Sequence, residues 1–270
     1  MKNSKLRTVE WVIAALSSIL GLALVILAYV LNFQKDETAW YIYLFYVLGA
    51  IGLFVAAFTI YSIYGKKKEN HRTLSVKEIT MIGVQSAITI ILYYFVKFNL
   101  PFFPSWLDIQ VSEIPALITA FAYGPYAGSI VVFIRFIVKL PATMTLGVGE
   151  VADLALGLCL VIIAGNIYRK NKTLKKALIG TGIGIAVSTV LACILNWTVL
   201  IPAFRYIAHF PLEALIGGMS YISGINESNF MVYYIFIGVL PFNIVRYLLV
   251  FAFTFLLYKR IHILLQRITK

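Results

Sequence analysis

The sequence predicts an all-α integral membrane protein with about eight transmembrane helices. Of its 270 residues, 61% are hydrophobic and 13% are charged, and the mean hydropathy is +0.90, a composition outside that of soluble domains. Two early stretches, 11–31 and 40–64, contain no charged residue. Each is long enough to cross a bilayer as a helix, which takes about 20 apolar residues.

Basic residues between the apolar stretches predict the orientation of the chain. Seventeen of the 23 lysines and arginines form four clusters, before residue 11 and in 66–77, 169–176 and 259–270. Two, four and two predicted crossings separate consecutive clusters, so all four lie on one side. Because positive loops face the cytoplasm, we expect a multi-pass protein of the plasma membrane with both termini cytoplasmic. The net charge of +12 therefore indicates topology rather than nucleic-acid binding.

The chain is predicted to have three parts. Residues 1–65 form a transmembrane helical hairpin, which we expect to be retained because its first apolar stretch is too long for a signal-peptide core. A basic cytoplasmic linker follows at 66–76. Residues 77–270 form a six-helix substrate-binding core, with spans at about 77–98, 113–123, 126–140, 149–168, 175–201 and 231–259.

Two features of the core indicate a cavity. Its second and third spans are short and are joined directly by Gly124 and Pro125, which predicts a tight or bent helical pair, and short spans usually line a cavity. The connections 100–112 and 205–230 are unusually apolar; the first contains Phe103 and alternates like a strand. Both are interpreted as lids over an outward-facing site, although membrane-interface anchoring also explains their aromatic residues.

Motifs of catalysis are absent from the sequence. No Gly-rich loop ends in Lys-Ser or Lys-Thr, and the glycine run at 180–184 is interpreted as a helix-packing surface. The histidines at 71, 209 and 262 are too scattered for a metal site. We therefore expect a transport subunit rather than an enzyme, with no cofactor, whose energy comes from a partner or an ion gradient.

Ionisable residues within predicted spans are costly and usually functional. Glu150 and Asp153 are three apart and therefore lie on one helix face. In a functional interpretation they accept hydrogen bonds from a ligand or form an ion or proton site. Alternatively they neutralise Arg135 or Arg246. The full set in the core spans is Glu113, Arg135, Lys139, Glu150, Asp153 and Arg246.

Two asparagines and an arginine are expected at similar depth in the membrane. Asn243 and Arg246 follow Pro241 in the last span, and Asn196 lies in the fifth span. A lone asparagine in a membrane helix more often joins helices than binds a ligand. Together with the aromatic residues, however, two amides and a fixed cation suit a planar, heteroatom-rich, water-soluble molecule.

Four segments carry a resemblance to a known family. Residues 100–128 (LPFFPSWLDIQVSEIPALITAFAYGPYAG), 147–157 (GVGEVADLALG), 195–204 (LNWTVLIPAF) and 240–246 (LPFNIVR) resemble the S components of energy-coupling factor (ECF) transporters, specifically the riboflavin-binding group. The resemblance implies a six-helix bundle that captures its vitamin outside the cell. It also implies partners, namely a membrane coupling protein and two ATPase subunits, and reorientation in the lipid bilayer to release riboflavin or another flavin inside.

The resemblance also assigns residues. Small residues four apart, Gly83 and Ala87, either pack within the bundle or, as in the family, dock the coupling protein. Asn196, Asn243 and Arg246 match the family's ligand-binding asparagines and lysine. The full set expected to bind substrate is Asn196, Asn243, Arg246, Asp153, Glu150, Glu113 and Phe103.

Two departures from the riboflavin group leave the identity of the ligand open. Arg246 replaces a lysine and Asp153 an asparagine. The guanidinium offers a fork of donors that suits a phosphate such as that of flavin mononucleotide; alternatively the two residues form an ion pair and the ligand is unaltered. Other functions considered are capture of another water-soluble vitamin, ion-coupled secondary transport, a membrane-embedded enzyme and an accessory protein without a small-molecule site.

Overall fold

The computed structural model describes residues 16, 17, 19–21 and 23, and 74–268 apart from 105, 143–146 and 207–208. Almost all of the predicted hairpin at 1–65 and most of the linker at 66–76 lie outside the described residues. The chain divides into two compact units, of which one comprises 1–74 with 199–210 and the other 75–198 with 211–270.

The described chain is mainly helical. Its α-helices are α1 Val76–Phe95, α2 Ile114–Tyr123, α3 Pro125–Lys139, α4 Val148–Lys170, α5 Leu174–Leu195, α6 Ile201–Tyr206, α7 Leu212–Gly217, α8 Phe230–Tyr233 and α9 Leu240–Ile268. Two π-helical turns, Asn196–Leu200 and Tyr234–Val239, follow α5 and α8, and a 3-10 turn, Leu140–Ala142, follows α3. In the first unit, α6 is followed by a hydrogen bond from the Phe210 amide to the Phe204 carbonyl at 2.9 Å.

Local sequence explains where several helices begin and end. At the start of α1, the Ser75 amide donates to the Glu78 carboxylate at 2.8 Å, and the Glu78 amide donates to the Ser75 hydroxyl at 3.3 Å, which satisfies two end groups at once. Gly124, at a φ of 96°, ends α2, and Pro125 is the first residue of α3. The predicted tight pair is therefore two helices that share a glycine cap.

Two short strands depart from a purely helical fold. Strand β1, Lys97–Phe98, pairs antiparallel with β2, Ile109–Gln110. Ile109 and Val111 are buried, which agrees with the strand-like alternation in this segment. The prediction of an all-α protein is corrected here, because β1 and β2 satisfy their backbone groups by pairing within the segment.

Small residues allow α4 and α5 to lie close together. A Cβ at Gly180 would lie 2.9 Å from the Ala164 carbonyl oxygen, and one at Gly184 would lie 3.0 Å from Leu160 Cδ1. Gly182, on the other side of the helix, meets nothing within 4 Å. The glycine run at 180–184 is thus a packing surface, as predicted.

Five described helical segments are long and apolar enough to cross a membrane, and Ile114–Tyr123 is a shorter apolar helix. These six overlap the six predicted core spans along the sequence, and five of them are long enough to be candidate membrane spans. The predicted total of eight depends on the first two spans, which lie outside the described residues. The five longer segments are Val76–Phe95, Pro125–Ala142, Val148–Lys170, Leu174–Tyr206 and Phe230–Leu257.

Candidate functional site

Five ionisable side chains, four from three helices and one from the residue that precedes α2, meet in the interior of the second unit. We call them the buried charge cluster: Glu113, Arg135, Lys139, Asp153 and Arg246. Each is at most 9% exposed. Charges buried in apolar surroundings are stable only when other charges or hydrogen bonds compensate them, and the cluster does this by joining α2, α3, α4 and α9.

Asp153 on α4 contacts three cations. Its Oδ2 lies 2.7 Å from Lys139 Nζ and 3.1 Å from Arg135 Nη2. Its Oδ1 lies 3.1 Å from Arg246 Nη2. The interpretation in which Asp153 neutralises buried cations is therefore correct, and the pairing includes both arginines.

Glu113, the residue that precedes α2, forms the second acidic centre. Its Oε1 accepts a hydrogen bond from Arg246 Nη2 and lies 3.4 Å from Arg135 Nη1. One nitrogen of Arg246 thus contacts both acids. Among the described residues, Glu113 Oε2 and Arg246 Nε are buried and have no hydrogen-bond partner, so a buried donor and a buried acceptor belong to two adjoining groups.

Helix periodicity explains how the sequence brings these groups together. Arg135 and Lys139 are four apart on α3, so both point to one face, where both contact Asp153. Glu150 is also buried, three residues before Asp153 on α4. Counting Glu150, three acids lie with three cations in this region.

A second group of contacts links amides to aromatic rings. Tyr234 donates its hydroxyl proton to Asn196 Oδ1 at 2.8 Å, and Trp106 Nε1 donates to the Tyr234 hydroxyl at 3.3 Å. Phe230 stacks on Tyr234 with 5.5 Å between ring centroids. A Cβ at Gly218 would overlap the Trp106 ring, so the two segments interpreted as lids touch each other at Trp106.

Phe103 belongs to a third group of contacts. It meets Phe242 edge-to-face at 5.5 Å between centroids and forms a small apolar cluster with Phe242 and Ile109. Asn243, next to Phe242 on α9, is buried and donates to the Val239 carbonyl at 2.9 Å. Phe103 is thus placed against the turn of α9 that carries Asn243.

Both asparagines lie beside π-helical turns. Asn196 is the first residue of one such turn, and Asn243 lies shortly after the other. The Asn196 amide nitrogen donates to the Ala192 carbonyl at 2.9 Å, as Asn243 does to Val239, so each side chain binds the preceding turn of its own helix. Irregular turns of this kind are frequent at functional sites.

Gly83 and Ala87 lie on an exposed face of α1. A Cβ at Gly83 would meet nothing within 4 Å, and Ser86 is turned inwards, donating to the Ile82 carbonyl at 2.7 Å. Among the described residues, Gly83 has no neighbour at its Cβ position and Ala87 is exposed, so neither position is buried in the bundle.

The structure joins only part of the predicted substrate-binding set. It brings Glu113, Asp153 and Arg246 into one cluster, whereas Asn196 and Phe103 contact separate aromatic partners.

The sequence analysis named Arg135 and Lys139 as buried charges but left them out of the substrate-binding set, although their spacing of four indicated a shared face. It also missed the hydroxyl of Tyr234, for which no sequence pattern gave a signal. In the described part of the chain, no group of three histidines, cysteines or acids is placed to hold a metal ion.

Comparison with known proteins identifies the family. The family model described as "ECF transporter, substrate-specific component" matches residues 77–258. The chain belongs to this family. A substrate-specific component is a transport protein, and this one is a multi-pass membrane protein, consistent with its apolar helices.

Relatives of this substrate-specific component include two named riboflavin transporters. It is 30% identical over 192 residues to "Riboflavin transporter RibU" of Staphylococcus aureus (strain TCH60), covering 71% of this chain and 94% of that protein. It is 26% identical over 176 residues to "Riboflavin transporter FmnP" of Bacillus subtilis (strain 168), covering 64% and 85% respectively. A solved S component of a bacterial ECF transporter matches with a TM-score of 0.54 and 28% identity, covering 70% of this chain and 97% of that one.

Proposed function

We propose that the chain captures riboflavin outside the cell as the substrate-binding subunit of an ECF importer and delivers it inward with the help of ATPase partners. The observation that carries this proposal is the 30% identity with the Staphylococcus aureus riboflavin transporter, over 94% of that protein's length. Riboflavin is the transported ligand in this scheme, and no cofactor takes part.

Polar atoms of the second unit suit a flavin. The flavin ring is planar, and one edge presents carbonyl oxygens beside an N–H group. Glu113 Oε2 and Arg246 Nε are an acceptor and a donor that lie buried without partners among the described residues, and buried polar groups normally find a partner. We assign ligand contacts to Glu113, Glu150, Asp153 and Arg246.

The aromatic and amide groups complete the proposed set. Phe103 would contact the flavin ring, since aromatic surfaces favour offset or edge contacts with planar rings. Asn196 and Asn243 would hydrogen-bond the polar ring edge or the ribityl hydroxyls, which both donate and accept. The Tyr234 hydroxyl supports this role by binding Asn196 Oδ1.

Charge compensation favours an uncharged flavin. Arg246 Nη2 contacts both Glu113 and Asp153, so its charge is already compensated, and a phosphate would bring negative charge beside two acids. The same contacts argue against ion-coupled transport through Asp153, because three cations already surround that carboxylate.

Partners and topology complete the proposal. The exposed Gly83 and Ala87 would contact the membrane coupling protein, which associates with two ATPase subunits. Residues 1–65 would add a transmembrane hairpin, giving eight helices with both termini cytoplasmic in the plasma membrane.

The test is a fluorescence-quenching titration of riboflavin, flavin mononucleotide and thiamine against the full-length chain purified in detergent. We expect saturable quenching of riboflavin fluorescence, weakened at least tenfold by Asn243→Ala. Asn171→Ala, in the exposed turn that follows α4, is the matched control. Well-folded protein that quenches no flavin would refute the flavin assignment, and equal affinity for the three compounds would refute selective capture.

A further inference from the structure

Arg135 contacts three groups of the second unit through its guanidinium. Its Nη1 donates to Ser112 Oγ at 2.7 Å and lies 3.4 Å from Glu113 Oε1. Its Nη2 lies 3.1 Å from Asp153 Oδ2. The residue is only 1% exposed. A planar guanidinium reaches three groups at once in this way, which a lysine ammonium on a flexible stem does not reproduce.

Two of those partners lie at the base of one segment. We call residues 97–111 the aromatic segment, because they carry Phe103 and Trp106. Strands β1 and β2 close this segment, and Asn99 Nδ2 donates across it to the Leu107 carbonyl at 3.0 Å. Ser112 and Glu113 follow directly and lead into α2. A bond to Ser112 therefore holds the base of the whole segment.

The sequence of α4 is adapted to the guanidinium. Asp153 and Gly157 are four apart and share a face; the first supplies a carboxylate and the second supplies space. A Cβ at Gly157 would lie 3.1 Å from Arg135 Nη2 and 2.9 Å from Val132 Cγ1, both closer than ordinary contact. An alanine at 157 would press first on Val132 and then on the Arg135 guanidinium, so Gly157 leaves room for Arg135 in its observed position.

We propose that Arg135 is a positioning residue that fixes the aromatic segment against α4 and so orders Phe103 and Trp106 before the ligand arrives. The ligand part of this inference rests on the proposed flavin binding. Ordering a loop on binding lowers affinity, because the loop loses conformational freedom at that moment. A segment already held through Ser112 avoids most of that loss.

Hydrogen exchange of the flavin-free, full-length protein tests the positioning directly. In Arg135→Lys, which keeps the charge, and in Ser112→Ala, we expect amides of 97–113 to exchange roughly tenfold faster, as for loss of a hydrogen bond to a charged group. Amides of α5 are expected to keep their rates. If exchange in 97–113 is unchanged, or if it rises equally in α5, the positioning role is wrong.

Riboflavin binding provides the second readout. We expect Arg135→Lys and Gly157→Ala each to weaken affinity about tenfold, while Gly182→Ala, at a helical glycine with open space around it, has no effect. Because Arg135 acts through Ser112, the two changes are not expected to add. The double variant Ser112→Ala/Arg135→Lys should bind riboflavin with about the same affinity as the single variant that binds it less tightly. Fully additive losses would overturn the inference. If the wild-type protein binds no flavin, the proposed function fails, and the exchange experiment still decides the positioning role.

Discussion

Asp153 and Arg246 form an ion pair, with 3.1 Å between Oδ1 and Nη2. These are the two positions at which the chain departs from the asparagine and lysine that the resemblance to the riboflavin group implies. Because one residue lies on α4 and the other on α9, the pair connects two helices across the buried charge cluster. The contact is the ion pair that one interpretation of these two departures expects; an unaltered ligand is part of our proposal.

The first prediction concerns the stability of this pair. Asp153→Asn removes a carboxylate that three cations contact, and leaving buried charges without a partner typically costs about 3–5 kcal/mol. We expect the double variant Asp153→Asn/Arg246→Lys to lose less stability than the two single variants lose together. The expected difference is about 0.5–3 kcal/mol, the range for residues in one network. The measurement is the free energy of unfolding in detergent.

The control for this prediction is Asp108→Asn. Asp108 lies 3.6 Å from Lys97, and both side chains are substantially exposed, so its loss is expected to change stability by less than about 1 kcal/mol. Strict additivity of the Asp153 and Arg246 changes would show that the two positions are independent.

The second prediction concerns the choice between riboflavin and flavin mononucleotide. The wild-type protein is expected to bind riboflavin more tightly, because Arg246 is already compensated by Glu113 and Asp153. Asp153→Asn removes one of these acids, so we expect the affinity ratio to shift towards flavin mononucleotide by about tenfold or more, as for a charged group that gains a partner. Paired titrations of the two flavins measure the ratio. A ratio that is the same in both proteins would mean that the phosphate does not approach the cluster.

Much of the fold follows from the sequence because its signals are local. The Gly124-Pro125 junction ends one helix and begins the next. The first core helix starts at Val76, one residue from the predicted start at 77, because Ser75 and Glu78 cap it locally. The β1–β2 pairing was only partly indicated, since two-residue strands depend on Lys97 meeting Gln110 across an intervening loop. Boundaries were thus predictable where they depend on neighbouring residues.

The site was less predictable, because its contacts depend on how helices are rotated against each other. Spacing placed Glu150 with Asp153 on one helix face, and Arg135 or Arg246 was considered as their partner, but nothing along the chain indicates that α3 turns both Arg135 and Lys139 towards Asp153. For the same reason Glu113, which precedes a short helix, could be named as a buried acid but not as the partner of Arg246. The separate contact of Asn196 with Tyr234 was likewise outside the reach of sequence patterns.

The third prediction concerns the Tyr234 hydroxyl, which joins Trp106 to Asn196. Tyr234→Phe leaves the indole N–H and the amide oxygen without this partner, and each such loss costs about 1–3 kcal/mol. We expect riboflavin affinity to fall roughly tenfold and the fluorescence of the flavin-free protein to change, since Trp106 loses its hydrogen bond. Tyr233→Phe, the neighbouring tyrosine, is the matched control. A change of fluorescence with unaltered affinity would show that Asn196 is held for packing and not for the ligand.

The fourth prediction separates capture from transport. Gly83 lies on an exposed face of α1 with nothing within 4 Å of its Cβ position, so Gly83→Leu is expected to fold and to bind riboflavin like the wild type. If a helix of the coupling protein approaches closely there, the added side chain blocks the contact, and uptake by cells or proteoliposomes that contain the ATPase partners is expected to fall at least tenfold.

Gly182→Leu is the control for this prediction. It places the same side chain at an exposed glycine of α5, which likewise has open space around it, and is expected to leave uptake intact. Loss of uptake in both variants would point to a general effect of an added leucine, and loss in neither would move the docking surface away from Gly83.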